Sequence, residues 1–406
     1  MTNPEGAVND VDASISKLVA HCRANNWAGY EPYDATNSPL FSSVPFLDSR
    51  IPRLVLTQLL KRMPFNIRPL MQIERTQNPK AIALFLSAFV ELSKDALSNA
   101  DRSVDLMIER LIALRSPGTE HWCWGYSFPW QTRTVLVPRW TPNLVCTSFA
   151  ASALMEAFEV RREMQLLDMA VSAGEYLVKE LFWTGDQGVA GFAYPLPAVR
   201  NQVHNANFLG ADLLCRIYKH TGDRRLLDCA MKAAGYSASQ QRPDGSWLYG
   251  ERTTQAWIDN FHTGFNLSAL KSIGHSIETT EFDSHIRRGL EFYRSYFFRE
   301  DGAPRYYHNR TYPIDSHCVA QSIITLLDLR DLNPGNVALA HSVWRWAMSH
   351  LWDDRGFYYY RVLRSCTIRT SYMRWTQAWM LLALSKLRSQ LARGVADAQR
   401  NAPVEA

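Results

Sequence analysis

Six stretches of this chain are apolar around nearly their whole circumference and rich in Ala, Ser and Gly, and they recur at regular intervals. They are NPKAIALFLSAFVEL from Asn78, CTSFAASALMEAF from Cys146, NANFLGADLLCRIY from Asn205, FHTGFNLSALKSI from Phe261, SHCVAQSIITLLDL from Ser316 and MRWTQAWMLLALSKL from Met373. Their starts lie 68, 59, 56, 55 and 57 residues apart. A helix apolar on all sides is a buried helix, and small residues let such helices crowd around an axis. Between them run more charged, one-sided patterns: 98–114, 163–181, 223–240, 282–298 and 337–351, with an early one at 53–62. Asp223, following Thr221-Gly222, is a plausible cap for one of these.

A fixed period of one buried and one half-exposed helix is the signature of a repeat architecture. Six of each predict an all-α fold, an (α/α)6 toroid or six-hairpin barrel, in which an inner ring is wrapped by an outer ring. An open helical solenoid is the alternative. The expected layout is an N-terminal extension over 1–25, one toroid domain over 26–390, and a flexible tail over 391–406.

The connections are unequal. Those from an inner helix to the next outer helix are short. Those running back inward are long: 116–143, 184–205, 242–260, 299–315 and 352–372, with 25–38 similar in content. All enter an inner helix at its N-terminus, so all must meet at one mouth. Long loops on a rigid scaffold are where function concentrates.

Three inner helices begin with histidine beside a polar partner: His204 with Asn205, His262 with Asp259 and Asn260, and His317 with Asp315. Imidazole and carboxylate converging near an axis are what general acid–base catalysis requires. The catalytic candidates are therefore His262, Asp259, His317, Asp315, His204 and Tyr306. The mouth is also dense in aromatic and guanidinium groups. Flat rings stack on sugar faces, and arginine captures carboxylate or phosphate through paired hydrogen bonds. Trp124, Trp130, Arg133, Asn205, Trp247, Tyr249, Trp257, Asn260, Tyr307, Arg305, Arg374 and Trp375 are the substrate-binding candidates. A hydrolase would use Asp259 and Asp315 as its two carboxylates. An epimerase or lyase would use His262, His317, Tyr306 and Tyr307, with arginine neutralising a substrate carboxylate, and the excess of His, Tyr and Arg tilts the reading that way.

Composition narrows the partners. The 406 residues are 47% hydrophobic and 20% charged, with 13 Trp and a net charge of +5, and arginine outnumbers lysine. No basic run marks a nucleic-acid stripe. No apolar run reaches the roughly 20 residues of a membrane span, and the N-terminus has no apolar signal core, so the expected location is the cytoplasm. The seven cysteines stand singly, without CxxC spacing. Three His and Asp could bind zinc, but HExxH or HxH spacing is absent, so no metal and no cofactor are expected. The expected partner is a carbohydrate, with oligomeric state left open.

Two resemblances follow from particular strings. QQRPDGSWLYG (240–250) resembles the Q-x-x-D-G-x-W repeat of terpenoid cyclases and protein prenyltransferases, which implies an α/α toroid through Asp244, Gly245 and Trp247. No DxDD acid motif accompanies it in an inner helix. More broadly, YEPYDATNSPLF, CWGYSFPWQTR, VHNANFLGADLL, WIDNFHTGFNLSALK, YPIDSHCVAQSI and YMRWTQAWMLLALS resemble a little-characterised bacterial and archaeal family grouped with the six-hairpin glycosidase toroids. That resemblance implies a setting in surface polysaccharide or lipopolysaccharide biosynthesis. The function expected is an enzyme acting on an anionic or lipid-linked surface glycan. The alternatives are a non-catalytic glycan-binding or scaffolding protein and an isoprenoid cyclase-like enzyme.

Overall fold

The computed structural model describes residues 4–94 and 100–400, so the start of the 98–114 pattern lies partly outside the described residues. Among the described residues fourteen α-helices follow one another: α1 (Pro4–Ala24), α2 (Pro39–Ser42), α3 (Arg50–Arg62), α4 (Pro79–Ser93), α5 (Ala100–Ala113), α6 (Leu144–Arg161), α7 (Met164–Tyr176), α8 (His204–Thr221), α9 (Arg224–Ser239), α10 (Asn260–Ser276), α11 (Asp283–Phe297), α12 (Ser316–Asp328), α13 (Asn336–His350) and α14 (Trp379–Arg400). A π-turn over Met373–Ala378 leads into the last. Strands are two or three residues long and confined to the loops.

The inner ring closes. In order, α4 packs on α6, α6 on α8, α8 on α10, α10 on α12, α12 on α14, and α14 returns to α4. The fold is the (α/α)6 toroid and not a solenoid. Small side chains permit the crowding. A Cβ at Gly264 of α10 would sit 2.6 Å from Thr325 Oγ1 of α12, so those two helices approach as closely as they do only because the position is glycine.

Five outer helices are the expected ones, α5, α7, α9, α11 and α13, each against the inner helix that precedes it. The sixth differs. The pattern at 53–62 forms α3, but α3 buries only Thr57 and Leu60 and packs on the short turn at Asp34–Asn37 and on Trp130–Gln131 of a mouth loop. The sixth outer helix is α1, from the stretch read as an extension. Its Val11, Ile15, Leu18 and Cys22 are buried at helical spacing, and it lies against α14. The first and last of the described helices thus meet to complete the ring. At the other end, α14 continues through Arg400, across most of the segment expected to be a flexible tail, and 401–406 lie outside the described residues.

The QRPDGSW turn is structural. Asp244 Oδ1 accepts from Ser246 N (3.0 Å) and Ser246 Oγ (2.6 Å). Gly245 has φ +88° and leaves no room for a Cβ beside Arg288 O. Trp247 is buried, its Nε1 donating to Ser237 O at 3.0 Å.

Candidate functional site

The six inward-running connections gather at one end of the ring and wall a funnel of about 1160 Å³. Its floor is set by helix register. Four inner helices are capped by an Asn or Asp whose side chain accepts from a backbone N–H in the first turn: Asn78 for α4, Asn143 for α6, Asp259 for α10 and Asp315 for α12. Each cap satisfies a free N–H and places the same helical position on the axis. The second residue of every inner helix lines the funnel: Lys80, Val145, Asn205, Phe261, His317 and, from the π-turn, Arg374. The first residues, Pro79, Leu144, His204, Asn260, Ser316 and Met373, do not. At the third position His262 and Trp375 also reach the funnel.

This register corrects several sequence expectations. His204 stands one position too early. It is buried, its Nδ1 lies 3.3 Å from Ser237 Oγ, and burial pushes its pKa down to about 4. Asn260 is likewise buried, bonded to Ser322 and Tyr293. Asp315 is fully buried behind the wall. It accepts from His317 N (2.9 Å), Trp375 Nε1 (2.9 Å) and Arg361 Nη2 (2.6 Å), and it does not line the funnel. Trp124 donates to Leu111 O from within the core, Trp247 anchors its turn, and Arg305 bonds to Tyr296 O outside the funnel. The remaining candidates, His262, Asp259, His317, Tyr306, Trp130, Arg133, Asn205, Tyr249, Trp257, Tyr307, Arg374 and Trp375, are brought together along its wall.

At the centre of one wall is a pair. Asp259 Oδ1 accepts from His262 N (3.0 Å), and its Oδ2 accepts from His262 Nδ1 (2.7 Å) and Trp257 Nε1 (2.8 Å). A carboxylate accepts, so this contact holds a proton on Nδ1 and turns Nε2 away from Asp259. Asp259 is buried and His262 about one-fifth exposed. Phe261 lies between this imidazole and that of His317, 4.2 Å from the first ring and 4.6 Å from the second.

His317 is packed flat between Phe261 and Trp379 and edge-on to Trp375. Both its ring nitrogens are buried without a hydrogen-bond partner. Burial, with Lys80, Arg374 and His262 nearby, holds its pKa well below the usual imidazole range, so the ring is neutral. A buried polar group left unpaired costs stability, and Asn205 Oδ1 is unpaired in the same way. Both residues line the funnel.

Charge around the cavity is one-sided. Among the described residues Asp259 is the one carboxylate on the wall, whereas Lys61, Arg62, Lys80, Arg133, Arg242, Arg252, Arg310, Arg361 and Arg374 all contribute to it. Lys80 is buried, with Nζ 4.0 Å from the Phe149 ring centroid and farther from those of Phe265 and Trp379. Burial, then Arg374, lowers its pKa well below the lysine range. Lys80 was not a sequence candidate, yet it is the third residue of NPKAIALFL, and aligning the inner helices on their caps would have placed it beside His317. Arg374 is paired with buried Glu31, Nη2 to Oε2 at 2.8 Å. Aromatic walls complete the funnel: Tyr249 stacks on Trp257 at 4.4 Å, Arg133 lies over Trp257 at 5.1 Å, and Tyr306 and Tyr307 sit opposite one another at 4.6 Å. Burial, then Asp259, raises the Tyr306 pKa well above the phenol range, so it stays protonated.

No family model matches the chain, and no curated protein matches its sequence. Solved structures do match in shape. A cellobiose 2-epimerase from Bacillus thermoamylovorans B4167 superposes with a TM-score of 0.61 at 9% identity, over 79% of this chain and 90% of that one. An unsaturated glucuronyl hydrolase specific for heparin gives 0.62 at 10% identity, over 96% and 98%. A D-mannose isomerase gives 0.57 at 12% identity, over 77% and 87%. Identities this low speak to fold alone. By its closed inner ring and these likenesses, the chain has the (α/α)6 toroid fold.

Proposed function

We propose that this protein is a carbohydrate-active enzyme that moves a proton at a sugar carbon next to a carbonyl or carboxylate, as an epimerase or lyase, on an anionic or lipid-linked surface glycan. The observation that carries the reading is the Asp259–His262 pair facing the same cavity as neutral, unpartnered His317. His262 Nε2 takes the proton from carbon. The electron pair of the broken C–H bond moves onto the adjacent oxygen, where the Tyr306 hydroxyl and a neighbouring arginine stabilise the charge. For epimerisation, the imidazolium formed at His262 returns the proton to the opposite face of the carbon once the intermediate has turned in the funnel beside His317. For elimination, the electron pair instead expels the oxygen substituent one carbon away, which Tyr306 protonates.

Hydrolysis fits less well. It needs two carboxylates flanking the bond, and among the described residues the wall offers Asp259 alone, already committed to His262. The basic wall favours a negatively charged sugar. Several proteins of this fold bear the names of a sugar epimerase, a glucuronyl hydrolase and a mannose isomerase, which supports carbohydrate as the substrate class.

The test is solvent exchange. Reducing disaccharides, uronic acids and uronate oligosaccharides are incubated with the protein in D2O and followed by NMR and mass spectrometry. Deuterium entering at the carbon beside the carbonyl or carboxylate, and lost in His262→Ala, is the expected result. Glycosidic cleavage with no carbon-bound deuterium and no unsaturated product would overturn proton transfer in favour of hydrolysis.

A further inference from the structure

The exposed large apolar side chains of this molecule are concentrated in one segment. Leu40, Val44, Phe46, Ile51, Val55, Leu59, Phe65 and Leu70 all fall within 40–70, with Phe46 80%, Leu70 79% and Ile51 72% exposed. On α3, Ile51, Val55 and Leu59 are spaced four apart and form one stripe, with Phe46 before the helix and Phe65 after it. The ring does not use this helix, since α1 takes the sixth outer place. Another side of α3 faces the funnel: Leu54, Gln58, Lys61 and Arg62 line its wall.

Charge identifies what covers the stripe. Arg50 and Arg62 are exposed at the two ends of α3, and neither has an acidic partner among the described residues. Asp48 is the one acid within 40–70, and it is held by Arg53 at 2.7 Å; the next, Glu74, lies beyond the segment. A helix with an apolar stripe, aromatic residues at its ends and flanking cations is built to lie in the plane of an anionic bilayer surface. Two copies of this chain meeting stripe to stripe would instead bring like charges together across a two-fold axis. No helix among the described residues is long and apolar enough to cross a membrane.

We infer that α3 and its flanking turns dock the protein on the surface of an anionic membrane, with the funnel mouth held at the headgroup layer. The docking does not depend on what the funnel does. If the proposed function also holds, docking delivers a sugar carried on a lipid to the site and selects lipid-linked over free glycans.

The experiment is co-sedimentation of the full chain with vesicles of phosphatidylcholine alone and of phosphatidylcholine with 30% phosphatidylglycerol, read without any sugar so that it is independent of activity. Binding to the anionic vesicles, weakened by salt, is expected. It falls at least tenfold in a variant carrying Ile51→Ser, Val55→Ser and Leu59→Ser and in a second carrying Arg50→Glu and Arg62→Glu. All these positions are exposed, and the melting temperature of each variant checks that the fold persists. Absence of binding to either vesicle, or binding unchanged in both variants, overturns the proposal. A concentration-dependent dimer abolished by the serine variant overturns it as well, by assigning the stripe to a second copy of the chain.

Discussion

Asp259 grips His262 twice, through the backbone N–H at 3.0 Å and through Nδ1 at 2.7 Å. One carboxylate therefore starts the helix and sets the tautomer of the imidazole. The two roles separate on substitution. Asn is as good a cap as Asp, but its amide offers a donor to Nδ1 and so turns the lone pair away from the funnel. Asp259→Asn is expected to keep the melting temperature within a few degrees while lowering turnover by about 10² to 10⁴-fold. Asp259→Ala also loses the cap and should cost about 1 kcal/mol of stability. A melting curve beside an initial-rate assay checks both, and an active Asp259→Asn enzyme would remove His262 as the base.

His317 is the opposite case, a residue whose buried polar atoms are expected to cost the fold stability. Its ring nitrogens are buried and unpaired between two aromatic faces. His317→Phe keeps the stack and removes the unpaired polar atoms, so stability should hold or rise while activity is lost. Thermal melting decides it: a fall of more than about 2 kcal/mol would mark His317 as a structural histidine.

Stability should depend on pH through His204. Its folded pKa is pushed down to about 4 from the ordinary 6.5 by burial, so the unfolded chain binds the extra proton first between those values. The contribution is fully present above about pH 6.5 and is lost as pH falls toward 4, at up to about 1.4 kcal/mol per unit. His317, also depressed, adds to the same trend. Denaturant midpoints measured across this window should decline on acidification, and the decline should be shallower in His204→Gln.

The N-terminal helix should matter as much as any other outer helix. Leu18 is fully buried in α1, against the inner ring. Leu18→Ala is expected to cost about 2–5 kcal/mol, and deletion of residues 1–25 should expose α14 and drive aggregation. A truncated protein with an unchanged melting temperature would restore the view of this stretch as an appendage.

Much of this protein was legible from patterning. Helices that are apolar all round can only be buried, and their near-constant spacing makes each hairpin a unit, so the toroid, its inner ring and the mouth where its long connections meet all follow from one dimension. His262 with Asp259 was legible too, because a cap three residues ahead of a histidine is a local relationship. What patterning could not decide is register and partnership. His204 and His317 look equivalent in the chain, but one occupies the first position of its helix and turns into the core, and the other occupies the second and faces the axis. Asp315 looks like the twin of Asp259, yet Arg361, fetched from a loop 46 residues away, locks it behind the wall. Lys80 acquires its character from Phe149, Phe265 and Trp379, which only the closed ring brings around it. Both α1 and α3 have an amphipathic pattern. Only packing decided that the first completes the ring against α14 and the second is left with its apolar stripe facing outward, because a sequence states that a face must be covered and the tertiary structure alone states by what.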